Sequence, residues 1–147
     1  MKLPVAYRAP TEEDLPFIYS TWLKSYRNTD WAKHMSNDTY YFHHKAICAA
    51  ILESPTTVTT LICDESDPEQ LYGYVVAQVI GGKPLLHFAY IKYNFRKLGL
   101  MKSLIQHLGY FNTSGQVNFI THLPRNYTAL RTKYNLEYNP YLLGTID

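Results

Sequence analysis

The densest chemistry in this sequence lies in His87-Phe88-Ala89-Tyr90-Ile91-Lys92-Tyr93-Asn94-Phe95-Arg96-Lys97-Leu98-Gly99-Leu100-Met101. Apolar and aromatic residues run into a basic pair, one glycine, and then an apolar repeat at helical spacing, which predicts a strand, a turn and the start of an amphipathic helix. Backbone N–H groups at a helix start have no helical partner. Together with the helix dipole they attract anions, and Arg96 and Lys97 add full positive charge. Gly99 lets the backbone come close to a ligand. The chemistry implied is diphosphate binding; the plainer reading is an ordinary strand-to-helix turn carrying a solvated arginine.

The elements that must position this segment follow from periodicity. Residues 3–8 read as a short strand stopped by Ala9-Pro10, and Thr11 followed by Glu12, Glu13 and Asp14 marks a helix start. Leu15, Ile18 and Trp22 then recur at helical spacing to about Lys24, which assigns Trp22 to the core. Residues 25–35 read as an irregular, aromatic and basic stretch able to cover a site, and Tyr26 and Trp31 within it are the candidates for substrate contact. Ser36-Asn37-Asp38 caps a second helix with Ile47, Ala50 and Ile51 on one face, ended by Pro55.

Residues 57–63, 71–80 and 85–93 form a meander of three strands, with turns at 64–69 and at Gly81-Gly82-Lys83-Pro84. The next helix carries Leu98, Met101, Leu104, Ile105 and Leu108 on one side. A turn at 112–116, a strand at 117–123, a short helix at 127–134 and a last strand near 137–143 complete the chain. This order predicts a mixed α/β fold, a central and mostly antiparallel sheet flanked by helices with one crossover through a helix.

Length and composition narrow the classes. A chain of 147 residues, 46% hydrophobic and 18% charged, reads as one domain, residues 1–147, with a core large enough to need no staples. Aromatic residues reach 15%, including 14 tyrosines, so much aromatic surface must line a core or groove. The formal charge is +2 with Lys and Arg scattered, which argues against a nucleic-acid partner. Cys48 and Cys63 are too few for a disulfide framework and read as reduced, buried small hydrophobes. Adjacent His43 and His44 diverge on a helix and have no acidic or thiol neighbour, so no metal site is expected. No signal peptide or membrane-spanning run is present in the sequence, which predicts a cytoplasmic protein.

With these residues in view, the sequence resembles the GNAT acyltransferase superfamily, whose pyrophosphate loop reads Gln or Arg, two residues, Gly, one residue, then Gly or Ala. Arg96 and Gly99 match, while Met101 departs from the small final residue. The resemblance implies that the loop from Arg96 through Lys97, Leu98, Gly99 and Leu100 to Met101 holds the diphosphate of acetyl-CoA as co-substrate. It also implies that Ile91 offers backbone groups to the pantetheine arm. Asn126 and Ala129 resemble the family's Asn and Ala at the start of a later helix. Tyr134 resembles the tyrosine that protonates the leaving thiolate, one place later than usual, where Lys133 stands. Arg8-Ala9-Pro10-Thr11-Glu12-Glu13-Asp14-Leu15 looks like the family's opening strand and first helix. Tyr138-Asn139-Pro140-Tyr141 is similar to small GNAT-like proteins of bacteriophages, which would place the protein in a host cytoplasm. A homodimer is implied by the resemblance alone.

Acyl transfer needs a neutral amine, a donor for the developing oxyanion and a proton for the thiolate. The Ile91 N–H is the candidate oxyanion donor. Some relatives use a strand glutamate as base, but Leu85 stands at that place and no acid lies on residues 85–93. By period-two alternation His87 shares a face with Leu85 and Ile91, making it the local substitute, with a packed strand histidine the equal alternative. The expected function is N-acetyl transfer from acetyl-CoA to a primary amine of a small molecule or peptide. The alternatives are a non-catalytic GNAT-like interaction protein, or an enzyme acetylating a modified nucleobase or nucleic-acid-bound amine.

Overall fold

The structure is a computed structural model that describes residues 3–30, 32–111, 116–124 and 127–145. Strand β1 (Val5–Arg8) leads through a 3-10 turn (Glu12–Asp14) into helix α1 (Leu15–Arg27), followed by helix α2 (Asn37–Glu53). Strands β2 (Thr57–Asp64), β3 (Leu71–Ile80) and β4 (Lys83–Ile91) form the meander. A 3-10 turn (Tyr93–Phe95) connects it to helix α3 (Leu100–Leu108), then strand β5 (Asn118–Ile120), helix α4 (Tyr127–Tyr134), strand β6 (Leu136–Tyr138) and a terminal 3-10 segment (Pro140–Thr145). All six strands form one sheet in sequence order, antiparallel from β1 to β4 and parallel from β4 to β6. The expected mixed, mostly antiparallel α/β architecture is what the structure shows. Among the described residues no helix is long and apolar enough to cross a membrane.

Local chemistry explains the joints. Asp14 accepts from the Thr11 N–H at 2.7 Å and receives both terminal nitrogens of Arg8, at 2.7 and 3.1 Å. These hydrogen bonds, the Arg8 pair foremost, hold its carboxyl at about 2 against burial. Ser36 caps α2 by accepting from the Thr39 N–H at 3.1 Å. Each face of the sheet has its own core. Ile18, Trp22, Tyr26, Tyr40, Cys48 and Ile51 of α1 and α2 pack with Leu61, Tyr74 and Val76. Leu100, Leu104, Ile105 and Tyr134 of α3 and α4 pack with Ile62, Val75, Ala77, Leu86 and Ile91.

Several details differ from the sequence reading. Helix α1 continues to Arg27, because Ser25 to Arg27 contain no breaker and Tyr26 extends the Ile18, Trp22 repeat by four residues. The buried stripe of α2 is Tyr40, His44, Cys48 and Ile51, while Ala50 is exposed. Strand β4 begins at Lys83 and ends at Ile91, and β5 holds only three residues. The last strand is Leu136–Tyr138 rather than 137–143, since Pro140, which has no N–H to give a ladder, opens a 3-10 segment.

Candidate active site

The site begins with a fault in the alternation of β4. Val76 pairs with Phe88 and Ala77 with Leu86, so His87 is an extra residue bulged out of the β3–β4 ladder. Side-chain parity reverses across it. Leu85 pairs with Gln78, whose side chain reaches the end of α2, whereas Ile91 packs in the α3 cluster. Leu85 and Ile91 therefore lie on opposite faces, and His87, bonded to Gln78, does not share the face of Ile91, which corrects the alternation argument.

Beyond the bulge the ladder bonds alternate. Tyr90 pairs with Tyr74, and the Lys92 N–H donates to the Tyr72 carbonyl at 2.8 Å, so Ala89 and Ile91 turn their N–H and C=O groups away from β3, toward β5. Strand β5 has already left. It pairs with β4 only at Leu85 with Phe119 and Leu86 with Ile120, and the last link is the Thr121 N–H to the Leu86 carbonyl at 3.2 Å. A gap opens there. Close approach of β3 and β4 opposite Ile91 requires Gly73, because a Cβ on it would lie 2.2 Å from the Tyr90 carbonyl oxygen.

The loop after β4 is shaped as an anion cradle. Arg96 donates its Nε to the Ile91 carbonyl at 2.8 Å, and its guanidinium lies over the rings of Tyr90 and Tyr93. Lys97 at φ 66° and Gly99 at φ 78° are left-handed. For a non-glycine residue this costs roughly 1–3 kcal/mol, and such strain concentrates at ligand clamps. The first helical bond of α3 runs from the Ser103 N–H to the Gly99 carbonyl at 3.0 Å, so the N–H groups of Leu100, Met101 and Lys102 precede it. Among the described residues no protein acceptor takes them. A groove of about 680 Å³ runs past this cradle, walled by β4 from Phe88 to Ile91, by the loop and the start of α3, and by Ser25, Tyr26, Asn28 and Thr29 from the end of α1.

The groove gathers most of the candidate residues. Ile91, Arg96, Lys97, Gly99, Leu100 and Met101 line it, as does Tyr26. Leu98 does not, and is 56% exposed. Trp31 and Asn126 lie outside the described residues. Tyr26 sits in the last turn of α1 rather than in a loop, and it lines the groove while being 3% exposed. Burial, the largest cause, pushes its phenol up.

Two expected catalytic groups are placed elsewhere. Tyr134 packs in the α3–α4 core, where burial raises its phenol, and Lys133 one residue earlier lines the groove instead. His87 is fully buried with both ring nitrogens bonded, Nδ1 to Thr121 at 2.7 Å and Nε2 to Gln78 at 2.8 Å. Its burial lowers it to about 4, and it is not among the residues that line the groove. The sequence reading missed Phe88, Ala89, Tyr90 and Lys102 as walls. For Ala89 the signal is the ladder parity, which only the pairing of β3 with β4 reveals.

His87 instead belongs to a buried polar chain whose proton directions follow from its partners. Gln78 donates its Nε2 to Thr56 at 2.6 Å and Ser54 at 3.1 Å, so its Oε1 must accept from His87 Nε2–H. Neutral His87 then accepts the Thr121 hydroxyl proton at Nδ1. The Thr121 oxygen accepts from His122 Nδ1–H at 3.1 Å, and His122 Nε2 accepts from His44 Nε2–H at 3.0 Å. Burial lowers His44 to about 4, and burial followed by its two imidazole neighbours takes His122 well below its ordinary value. Tyr26 stacks on His44 and meets His122 edge-on, so the chain braces the inner wall of the groove. Among the described residues no cluster of metal-ligating side chains occurs.

No family model matches the sequence, and no curated protein matches it. Solved structures do. An acetyltransferase of Clostridium difficile 630, described as a possible one, aligns at 14% identity over 92% of this chain and 91% of that chain, with a TM-score of 0.61. The ribosomal-protein-alanine N-acetyltransferase of Brucella melitensis biovar Abortus 2308 aligns at 15% identity over 89% and 87%, with a TM-score of 0.56. The PaiA N-acetyltransferase of Thermoplasma acidophilum, in complex with coenzyme A, aligns at 18% identity over 71% and 69%, with a TM-score of 0.50. The fold of this chain, a six-stranded mixed sheet flanked by helices, is that of the GNAT N-acetyltransferases.

Proposed function

We propose that this protein transfers an acetyl group from acetyl-CoA to a primary amine by direct attack. The observation that carries the reading is the opening between β4 and β5, where the ladder groups of Ala89 and the Ile91 N–H have no strand partner and turn toward the cradle of residues 97–102, the Ile91 carbonyl being held by Arg96. An extended arm bearing amides pairs with such an edge as an added strand does. The residues fit the co-substrate. Amides ahead of the first bond of α3, with Arg96, Lys97 and Lys102 beside them, suit a diphosphate, and a Cβ on Gly99 would point into open space that the ligand would need.

When bound, acetyl-CoA supplies the activated thioester. The chain's residues then have distinct tasks. The Ile91 N–H, with the Ala89 N–H on the same side of the strand, faces the place where the carbonyl oxygen gains charge. Tyr26, Phe88 and Tyr90 form the aromatic end that receives the amine-bearing acceptor, with Ser25, Asn28 and Thr29 as its polar rim. A C–N bond forms and the C–S bond breaks; the nitrogen gives up one proton to water, and the thiolate takes one. Lys133, on the groove wall, is the group we assign to hold that last proton, in place of the core-packed Tyr134.

Calorimetry with acetyl-CoA tests the reading, followed by an assay of released thiol across polyamines, amino acids, peptides and modified nucleosides. Saturable binding and amine-dependent thiol release support the enzyme. No heat at high micromolar acetyl-CoA would leave a non-catalytic interaction protein with this fold.

A further inference from the structure

We infer that the acceptor amine enters this groove already neutral, so that the protein acts on weakly basic amines of the kind at a peptide N-terminus rather than on lysine side chains or polyamines. The inference rests on the acyltransferase reading above. The acceptor end of the groove is formed by Ser25, Tyr26, Asn28, Thr29, Phe88 and Tyr90, which bring hydroxyls, an amide and rings but no charge. The charged residues on its walls are all cations, namely Arg96, Lys97, Lys102 and Lys133. Among the described residues no carboxylate and no imidazole lines it.

The nearest groups that could take a proton are committed elsewhere. Asp30 follows the Thr29 rim in sequence, but its side chain is 98% exposed and pairs with Lys33 at 3.4 Å. His87 and His122 share a small buried cavity with Phe88 and Ala89. Both ring nitrogens of His87 are bonded to Thr121 and Gln78, and both of His122 to Thr121 and His44.

A strongly basic amine needs two things from such a site. As an ammonium it needs an opposite charge to leave water, and then a base to take its proton before it can attack. Ring faces can hold a cation, but each ring here already serves a neighbour. Tyr26 stacks on His44, Phe88 stacks on Trp22, and the Arg96 guanidinium lies over Tyr90, where its charge repels a second cation. The proton is therefore lost to water before entry, and the rate follows the neutral fraction of the amine. At pH 7 a peptide α-amine is neutral about one time in seven and a lysine-type amine about one time in 2,500. The ratio is about 300-fold in favour of the peptide. Greater nucleophilicity of the more basic amine gives part of this back, leaving a preference of at least about tenfold.

The test compares trialanine, Nα-acetyl-lysine amide and spermidine as acceptors with acetyl-CoA from pH 6 to pH 9. At pH 7 trialanine should lead in kcat/KM by at least about tenfold. Its log kcat/KM should rise with unit slope and level near pH 8, the titration of its own amine, while the other two still climb at pH 9. A second readout needs no turnover. Calorimetry of trialanine binding to the CoA complex at pH 7, in phosphate and in Tris, should show close to one proton released per peptide bound. A smaller lead for trialanine, one bend common to all three amines, binding without proton release, or no acetylation of any probe while acetyl-CoA binds overturns this inference alone. Failure of the protein to bind acetyl-CoA overturns the acyltransferase reading and this inference with it.

Discussion

The buried histidine chain makes the stability of this protein fall steeply in mild acid. His44, His87 and His122 are all neutral in the folded state, because each is withdrawn from water and each proton on the chain already has an acceptor. Unfolding returns them to solvent, where they titrate near 6.5. A histidine lowered in the fold stabilises it above the unfolded value and loses that stabilisation as pH falls from about 6.5 toward the folded value of about 4. From pH 7 to pH 5 the unfolded chain gains about three-quarters of a proton per histidine while the folded chain gains almost none. That difference amounts to about 1.8 kcal/mol each for His44 and His87, and His122 adds to it in the same direction. Total stabilities of such domains are about 5–15 kcal/mol, so unfolding should set in near pH 5. Asp14 does not mask the effect, since its depressed carboxyl loses stabilisation only as pH falls from about 4 toward 2.

The assay is urea unfolding followed by tryptophan fluorescence at pH 7, 6 and 5. Trp22 reports directly, stacked on Phe88 and edge-on to His122. The slope of stability against pH should approach three protons near pH 5.3, about 4 kcal/mol per pH unit. His122→Gln should lower that slope by about one proton even if the variant is less stable overall. A change smaller than about 1 kcal/mol between pH 7 and pH 5 would refute the assignment of three neutral imidazoles.

Other predictions test the site. Gly99→Val should weaken CoA binding at least tenfold with a loss of about 1–3 kcal/mol in stability, since the side chain enters open space and the cost is its left-handed backbone; calorimetry and a thermal melt separate the two. Gly73→Ala should destabilise the whole domain by about 1–3 kcal/mol or more in urea, because a Cβ 2.2 Å from the Tyr90 carbonyl forces β3 and β4 apart. Lys133→Met should lower kcat by about 10²-fold, whereas Tyr134→Phe should leave it within threefold; the reverse ranking would restore Tyr134 as the acid.

The order of elements was legible in the sequence because its signals are local. Pro10 and the Thr11 to Asp14 cap, the Pro55 stop, the glycine turn before β4 and the apolar stripe of α3 each act over a few residues. The loop from Arg96 to Met101 was legible for the same reason, since its charge, its glycine and the helix after it are contiguous. What failed depended on tertiary context. Nothing between Lys24 and Asn28 marks where α1 stops, so the sequence alone does not place Tyr26 on the helix. At the end of α4 a one-residue choice of phase separates Lys133 on the groove from Tyr134 in the core, and eight residues of weak amphipathicity do not fix that phase.

The bulge at His87 links the largest failure to the site itself. A period-two pattern carries no mark of an inserted residue, so alternation continued through residues 85–91 puts His87 on the face of Ile91. In the fold the same insertion has three effects. It turns His87 into the core, where Gln78 and Thr121 satisfy it. It reverses the faces of β4, so that Phe88 meets Trp22 on one side while Ala89 and Ile91 meet the α3 layer on the other. It also adds local twist just where β5 stops pairing, because bulges bend the strand that carries them. The unpaired edge at Ala89 and Ile91, on which the proposed acyl transfer depends, and the neutral histidine chain, on which stability near pH 5 depends, therefore share one structural cause. Function and acid sensitivity should be inherited together by any variant that keeps the bulge.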